Sequence, residues 1–492
     1  MQASAERKIV TLSNAEQKAL QPFVPVKGVV ADSRLLQEGD WFIAYPGEKN
    51  DGRNYLDKVR EQGAAGFIYD DGGGFEWPFA SPQFAFSDLK KKAGLVAAFL
   101  LNNNLAPLRP IGITGTNGKT SISQWLTQAL TLLGEKSCLV GTNGNGFWGN
   151  LEATCFTTPE AVLLQNMLHR YVKQGASSLV MEVSSHALIQ YRVVGIPFLI
   201  GVFTNLTRDH LDYHGDMEAY YQAKKLLFLC PSLHYAVIHT DDPYGERLSN
   251  ELKKECPTLE VLRYGVNKQA EIHLHSWSES QEGMELSLKS PWGNIELFHP
   301  RLIGSFNAQN LVAAFAVLCV LGYETSLSAR TLSMIEPAKG RMQTLKEEGK
   351  PLVVIDYAHT PDALQKVLTV LKPAAQAGKL YCVFGCGGNR DKGKRALMGQ
   401  VVEKEADYAV VTSDNPRDED PAEIITDVIK NIHPKVVEVD RKKAIQWAIE
   451  QAGEKDVVLI AGKGHENYQE IKGVRYPFDD VEIALHYLKD KK

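Results

Sequence analysis

Apolar positions along this chain recur in two rhythms, runs of four to six and stripes spaced three and four apart. The run Pro110-Ile111-Gly112-Ile113 predicts a short buried strand. Ile122, Trp125, Leu126, Ala129, Leu130 and Leu133 then mark one face of a helix, and Gly134 supplies its C-terminal stop. Ahead of this, Val26–Val30 reads as a strand running into Asp32-Ser33-Arg34. Gly39–Ala44 reads as a turn and a second strand, and Gly52–Tyr55 leads into a helix ending near Gly63. Asp70–Gly74 is a surface turn, and Pro107-Leu108-Arg109-Pro110 reads as a linker.

Further on, Ser178–Val183 is a strand with Glu182 near its end, and Phe198–Phe203 is another, followed by Thr204–Asp212. Tyr220–Phe228 reads as a helix, and on pattern alone Lys224 and Lys225 are solvated. The apolar run Leu311–Gly322 predicts a buried helix too short to span a bilayer. From 338 onward one pattern recurs four times, an apolar strand ending in a polar loop. The four pairs are Leu352–Ile355 with Asp356–His359, Leu380–Phe384 with Gly385–Arg390, Tyr408–Val411 with Thr412–Arg417, and Val457–Ile460 with Ala461–Glu466. Helical patterns such as 360–371 and 422–431 lie between. This alternation predicts a mostly parallel sheet with all four loops on one edge. Three of those loops carry Arg or Lys, which suits an anionic ligand. The expectation is an α/β chain of three domains, at 1–107, 108–337 and 338–492.

Gly112-Ile113-Thr114-Gly115-Thr116-Asn117-Gly118-Lys119-Thr120 sits between the predicted strand and helix. That is the context of a phosphate-binding loop, in which backbone N–H groups wrap phosphates and the helix N-terminus adds positive potential. Lys119 would meet the outer phosphates and the Thr120 hydroxyl Mg²⁺. The strict pattern wants Gly at 113, whereas the glycine stands at 112. Ligands of open α/β sheets sit off the carboxyl ends of strands, which puts Glu182 and His210 on the same edge as this loop. Each still has a plain alternative: Glu182 pairing with a surface lysine, His210 capping a helix. Asp32-Ser33-Arg34 equally either holds a polar ligand or caps its strand.

Composition narrows the class. A formal net charge of −5 argues against a general nucleic-acid binder. Met1–Lys8 has no apolar signal core, so a cytoplasmic protein with no membrane partner is expected. The seven cysteines are scattered without zinc spacing and read as reduced thiols, mostly in the core.

Over nearly its whole length the chain resembles the Mur ligases. The likeness rests on the loop at 112–120, on Glu182-Val183-Ser184-Ser185-His186-Ala187-Leu188, on Thr204–Gly215, on Gly304–Asn310 and on Gly340-Arg341-Met342. The one-residue departure at 112 is this family's own form. The resemblance implies an N-terminal α/β UDP-binding domain, a central phosphate-loop ATPase domain with a parallel sheet, and a C-terminal Rossmann-like domain. Within the family the likeness is to members that add the third amino acid to UDP-N-acetylmuramoyl-L-alanyl-D-glutamate in peptidoglycan synthesis, with meso-diaminopimelate or L-lysine as acceptor. Asp414-Asn415-Pro416-Arg417 resembles the diaminopimelate form. Diaminopimelate is lysine with one more carboxylate, and Arg417 offers a planar fork for it. The alternatives are L-lysine as acceptor, a ligase like folylpolyglutamate synthase, and an ATP switch that ligates nothing.

The resemblance also implies roles. ATP would lie on Gly115, Thr116, Asn117, Gly118, Lys119, Thr120 and Ser121, with Asn307 and Asn310 on the adenine side, Asp356 and His359 on the ribose side, and Arg341 on the phosphates. Mg²⁺ would take Thr120 and Glu182, and a second ion His210 with Lys224, carbamylated to N6-carboxylysine; Lys225 stays solvated. Lys119, Glu182, His210 and Lys224 make up the catalytic set. Ser33, Thr157, Thr158, Ser184, Gln190 and Arg192 would hold the UDP-substrate. Arg390, Asp414, Asn415, Arg417, Gly462 and Glu466 would hold diaminopimelate. A monomer is expected.

Overall fold

The computed structural model describes residues 10–491 apart from 49, 76, 78–82, 155, 281–282 and 376–377. The chain divides into two compact units, Met1–His273 with Ala313–Glu324, and Leu274–Val312 with Thr325–Lys492.

The first unit carries two sheets. Strands β1 (Val29–Val30), β2 (Trp41–Ala44), β3 (Gly66–Asp70) and β4 (Gln83–Phe86) pair in parallel in that order. The helix Leu89–Leu100 buries Leu89, Ala93, Val96, Ala97 and Leu100 against Trp41, Ile43 and Ile68. Ala161 and Val162, at the start of the helix Ala161–Lys173, join the same core.

The second sheet is formed by β5 (Arg109–Thr114), β6 (Ser137–Gly141), β7 (Gly144–Phe147), β8 (Asn150–Glu152), β9 (Ser178–Glu182), β10 (Ile200–Phe203), β11 (Tyr235–His239) and β12 (Glu260–Gly265). The order runs β12-β11-β10-β5-β9-β6-β7-β8. It is parallel from β12 to β6, then turns antiparallel through β7 and β8. The carboxyl ends of β5, β9 and β10 therefore share one edge, as the sequence predicts. The stretch 107–110 is not a linker, because Arg109 and Pro110 already pair with Ser178 and Leu179, and Leu108 is buried. Strand β13 (Ile272–Ser280) starts by pairing Ile272 and His273 with β12.

In the second unit, β14 (Gly283–Ser290) and β15 (Gly293–His299) form an antiparallel hairpin that is not among the expected elements, although Met284, Leu286 and Leu288 alternate with polar residues. A six-stranded sheet follows, of β16 (Gln343–Leu345), β17 (Leu352–Asp356), β18 (Leu380–Phe384), β19 (Tyr408–Val411), β20 (Val436–Val437) and β21 (Val457–Ala461). Its order is β16-β17-β21-β18-β19-β20, and every strand but β16 is parallel. The four expected strands are present, with their polar loops at one edge. A last hairpin joins β22 (Tyr468–Ile471) and β23 (Val474–Pro477). The described cysteines are free thiols, of which Cys138, Cys319, Cys382 and Cys386 are buried; Cys155 lies outside the described residues. Among the described residues, no helix is long and apolar enough to cross a membrane.

The carboxyl end of β21 is pinned by a fully buried ion pair. Arg441 donates to Asp480 through Nε at 2.9 Å and Nη2 at 2.7 Å, and Nη2 also reaches the Ala461 carbonyl at 3.0 Å. Asp480→Ala would strand a buried guanidinium, so urea unfolding should show a loss of about 3–5 kcal/mol. A loss below about 1 kcal/mol would mean that the pair is solvated.

Candidate active site

The loop after β5 has the geometry its sequence requires. Gly115 (φ +148°) and Gly118 (φ +89°) occupy backbone regions that side chains disfavour. A Cβ on Gly115 would lie 1.9 Å from Thr204 Oγ1. The segment after β10 holds the loop from behind. Thr116 N–H donates to the Asn205 carbonyl and Asn117 N–H to Asn205 Oδ1, both at 2.9 Å, while the Thr204 hydroxyl donates to the Asn117 carbonyl. The helix Lys119–Leu132 opens at Gly118 without a side-chain cap, which leaves its N-terminal dipole to favour an anion. Thr120 and Ser121 are buried in its first turn.

Two lysines converge here. Lys119 Nζ donates to the carbonyls of Gly115 (2.8 Å) and Thr116 (2.9 Å). Lys224 Nζ, from the helix Met217–Lys225, donates to the same Gly115 carbonyl at 2.8 Å. Lys224 is 1% exposed and lies 4.5 Å from the centre of the Tyr220 ring. Burial pulls its amine well below the ordinary lysine range; the Lys119 charge pushes the same way, and Asp209 opposes them. The solvated reading of Lys224 therefore fails. It fails for Lys225 too, which is buried with Nζ donating to Glu251 at 2.7 Å and Glu255 at 2.8 Å. Carboxylates on a neighbouring helix meet its charge, which a periodicity count cannot register.

Glu182, at the end of β9, is 1% exposed and takes no surface lysine. It accepts from the Thr120 hydroxyl (2.9 Å), the Thr142 N–H (2.8 Å) and the Thr142 hydroxyl (3.2 Å). Thr142 was missed in the sequence, having no motif of its own. A chain of contacts runs outward from there. The Thr142 and Thr157 hydroxyls lie 3.0 Å apart, and Thr158 donates to the Glu182 carbonyl at 2.8 Å and accepts from Ser184 N–H. Ser184 caps the short helix Ser185–Ile189. Arg192 donates to the Thr158 carbonyl and to Gln190 Oε1, both at 2.9 Å, and Gln190 reaches Glu48 at 2.6 Å. Gln190, Glu48 and Tyr213 line a cavity of about 350 Å³. Asp32 accepts from the Arg34 N–H and pairs with its guanidinium at 2.6 Å, so this pair caps its own turn, with Ser33 buried in it.

His210 stands before the helix Leu211–His214 with φ +52° and lies 3.4 Å from the Asp209 carboxylate. Its ring centre is 4.9 Å from His186 and 6.3 Å from Tyr220. His210 and Lys224 thus share Tyr220 as a neighbour. Thr120 and Glu182 offer the hard oxygen donors that suit Mg²⁺. Lys224 as an amine does not, and a carbamate there would. Among the described residues, no group of three or more His, Cys, Asp and Glu is arranged around a metal position.

In the second unit, Asp356 accepts from Met342 N–H and Ala358 N–H, both at 2.8 Å. Arg341 lies over the Tyr357 ring at 4.6 Å, and His359 meets that ring edge-on at 4.7 Å. Asn307 donates to the Ile303 carbonyl at 2.8 Å, and Asn310 lies within 3.5 Å of Asn307. The loops after β19 and β21 close around Lys463, whose charge the strand-end pattern offers to an anionic ligand and which instead meets side chains of its own unit. It is wholly buried and donates to Asn415 Oδ1 at 2.9 Å, with Glu466 at 3.5 Å and Asp414 at 3.8 Å. Asn415 donates to Glu466 at 2.8 Å, and a Cβ on Gly462 would meet Asp414 at 2.5 Å. Burial raises the Glu466 carboxyl, opposed by Lys463 and helped by Asp414. Arg417 donates to the Gly388 carbonyl at 2.7 Å. Arg390 is exposed in the loop after β18. The signal for Lys463 was its place in a Gly-Lys-Gly-His-Glu strand end.

A phosphate loop backed by a buried carboxylate is the mark of an enzyme that handles a nucleotide, and the second unit adds a buried charged cluster at its strand ends. Residues 113–318 match the family model described as the Mur ligase middle domain, and residues 340–464 the one described as the Mur ligase glutamate ligase domain. The chain belongs to the Mur ligase family. The UDP-N-acetylmuramoyl-L-alanyl-D-glutamate--2,6-diaminopimelate ligase of Neisseria meningitidis serogroup A is 51% identical, over 94% of each chain. The ligase of the same name from Chromobacterium violaceum is 49% identical over the same share. A solved structure bearing that name aligns with a TM-score of 0.70 at 37% identity, covering 95% of each chain.

Gly115→Ala must push Thr204 off the loop. It should cost about 1–3 kcal/mol in chemical denaturation and abolish calorimetric binding of inorganic pyrophosphate. Unchanged stability and binding would mean that Thr204 does not hold the loop.

Proposed function

We propose that this chain is an ATP-dependent ligase that joins meso-2,6-diaminopimelate to the D-glutamate carboxylate of UDP-N-acetylmuramoyl-L-alanyl-D-glutamate, in peptidoglycan precursor synthesis. The observation that carries the reading is the mixed charge of the second unit's pocket. Arg417 suits a carboxylate, while Glu466 and Asp414 suit an ammonium. Diaminopimelate carries two of each. The names of relatives near 50% identity agree.

In this reading Lys119 and the loop Gly115–Ser121 hold the ATP phosphates. Arg341 also faces the phosphates, Asn307 and Asn310 the adenine, Asp356 and His359 the ribose. Thr157, Thr158, Ser184, Gln190 and Arg192 orient the UDP-substrate, with Ser33 at its uridine end. Arg390, Asp414, Asn415, Arg417, Gly462 and Glu466 orient the acceptor. A substrate carboxylate oxygen attacks the γ-phosphorus and ADP leaves. The acceptor amine attacks the resulting acyl phosphate, and the tetrahedral adduct collapses to an amide by expelling phosphate. The chain contributes alignment of these groups and neutralisation of phosphate charge.

Thr120 and Glu182, with His210 and a modified Lys224, would hold Mg²⁺, which when bound further offsets phosphate charge. The buried, poorly basic Lys224 amine is a nucleophile for CO₂. The N–C bond forms, one C=O pair moves onto oxygen, and the amine proton passes to water. A repelling cation becomes an oxygen ligand.

Incubation with the UDP-substrate, ATP and either acceptor should give faster amide formation with diaminopimelate, and a preference for L-lysine would overturn the assignment. Arg417→Ala should raise KM for diaminopimelate by roughly 10²-fold. An unchanged KM would remove Arg417 from the pocket. In ¹³C-bicarbonate, NMR should show one protein carbamate that is lost in Lys224→Arg; a spectrum unaltered by that substitution would exclude the modification at Lys224.

A further inference from the structure

The hairpin β22–β23 has no part in the roles above, yet it is tied to the acceptor loop residue by residue. Arg417 N–H donates to the Glu470 carbonyl at 3.0 Å, and Lys472 N–H donates to the Arg417 carbonyl at 2.8 Å. Glu470 N–H donates to Asn415 Oδ1 at 2.9 Å, and Gln469 Nε2 to the Asp414 carbonyl at 2.6 Å. The Glu470 carboxylate also lies 3.6 Å from Arg417 Nε. Every outward residue of β23 is exposed, so the hairpin's outer strand packs under nothing.

The loop needs such a splint. Arg417 has φ +51°, a left-handed conformation that costs a non-glycine residue about 1–2 kcal/mol. Strain of that kind persists where neighbours over-determine it. Its guanidinium donates from Nη1 to the Gly388 carbonyl at 2.7 Å, and the Glu470 carboxylate lies 3.6 Å from Nε, an ion pair beyond hydrogen-bond range. A cation bonded at one nitrogen and flanked by a carboxylate at another loses less freedom when a ligand carboxylate arrives.

We propose that the β22–β23 hairpin is the positioning element of the acceptor pocket, and that Glu470, acting through Arg417, sets affinity for the acceptor's carboxylate. Gln469 supports the same loop through the Asp414 carbonyl. This inference rests on the functional reading above and adds to it a residue that reaches the acceptor only through Arg417. An isolated half-exposed ion pair would do little. Here the pair orients a guanidinium whose backbone the same strand already fixes.

The test is steady-state kinetics on the full chain, with Glu470→Ala, Glu470→Gln, Arg417→Ala and the double variant Glu470→Ala/Arg417→Ala. Glu470→Ala should raise KM for the acceptor roughly 5–10-fold, more than it lowers kcat, and leave KM for ATP within about 2-fold. Glu470→Gln, which keeps the side chain's size and loses its charge, should raise the acceptor KM nearly as far as Glu470→Ala. In the Arg417→Ala background, Glu470→Ala should add less than about 2-fold. An acceptor KM that does not move, effects that multiply in the double variant, or equal rises in every KM would each overturn the proposal. The wild type is first profiled with diaminopimelate and with L-lysine, and the series is run on whichever it uses. A wild type that uses lysine defeats the functional reading, while the acceptor KM of Glu470→Ala still decides this one.

Discussion

Two lysine amines share one carbonyl oxygen. Lys119 and Lys224 both donate to Gly115 at 2.8 Å, and at such range two full positive charges repel by about 3 kcal/mol at an effective dielectric of about 20. Lys224 is also only 1% exposed, so its charge is poorly hydrated. The fold therefore cannot comfortably hold both as ammonium ions. Either Lys224 gives up its proton or an anion enters. Only the second draws in phosphate; the first ends the repulsion by removing a charge.

The loop can bear this tension because it is held from elsewhere. Thr204 and Asn205, at the end of β10, fasten Thr116 and Asn117, and Gly115 is glycine because Thr204 fills the place of its side chain. Glu182 fastens Thr120 from the end of β9. The second unit uses the same architecture for another purpose. There the loops after β19 and β21 surround a buried ammonium, Lys463, with Asn415, Glu466 and Asp414.

Much of this was legible in the sequence, for a physical reason. A phosphate loop needs glycines at fixed positions, and parallel strands buried on both faces read as continuous apolar runs, so β5, β9, β10, β17, β18, β19 and β21 announce themselves. Side chains whose partners come from distant segments do not. Lys224 and Lys225 look solvated in a helical pattern because their burial depends on Gly115, Glu251 and Glu255. Asn205 and Thr142 belong to no charge pattern, and Lys463 reads as a loop cation for an anion until Asp414 and Glu466 are seen to meet it; only the approach of strand ends gives these residues their partners. The hairpin β22–β23 escaped because it buries no apolar face, with β23 exposed throughout, whereas in β14 Met284, Leu286 and Leu288 do alternate with Glu285, Ser287 and Lys289. The linker at 107–110 was suggested by two prolines, yet Pro110 lies in a strand that accepts one.

The proposed reaction gives the phosphate loop and Lys119 their part: they would hold the ATP whose γ-phosphate the substrate carboxylate takes. The most direct test follows the oxygen. UDP-N-acetylmuramoyl-L-alanyl-D-glutamate labelled with ¹⁸O in its glutamate carboxylate is turned over with ATP and diaminopimelate, and the inorganic phosphate is read by mass spectrometry. One labelled oxygen in each phosphate is expected, carried over from the acyl phosphate. Phosphate free of label, released at the same rate without acceptor, would show that the loop hydrolyses ATP and joins nothing.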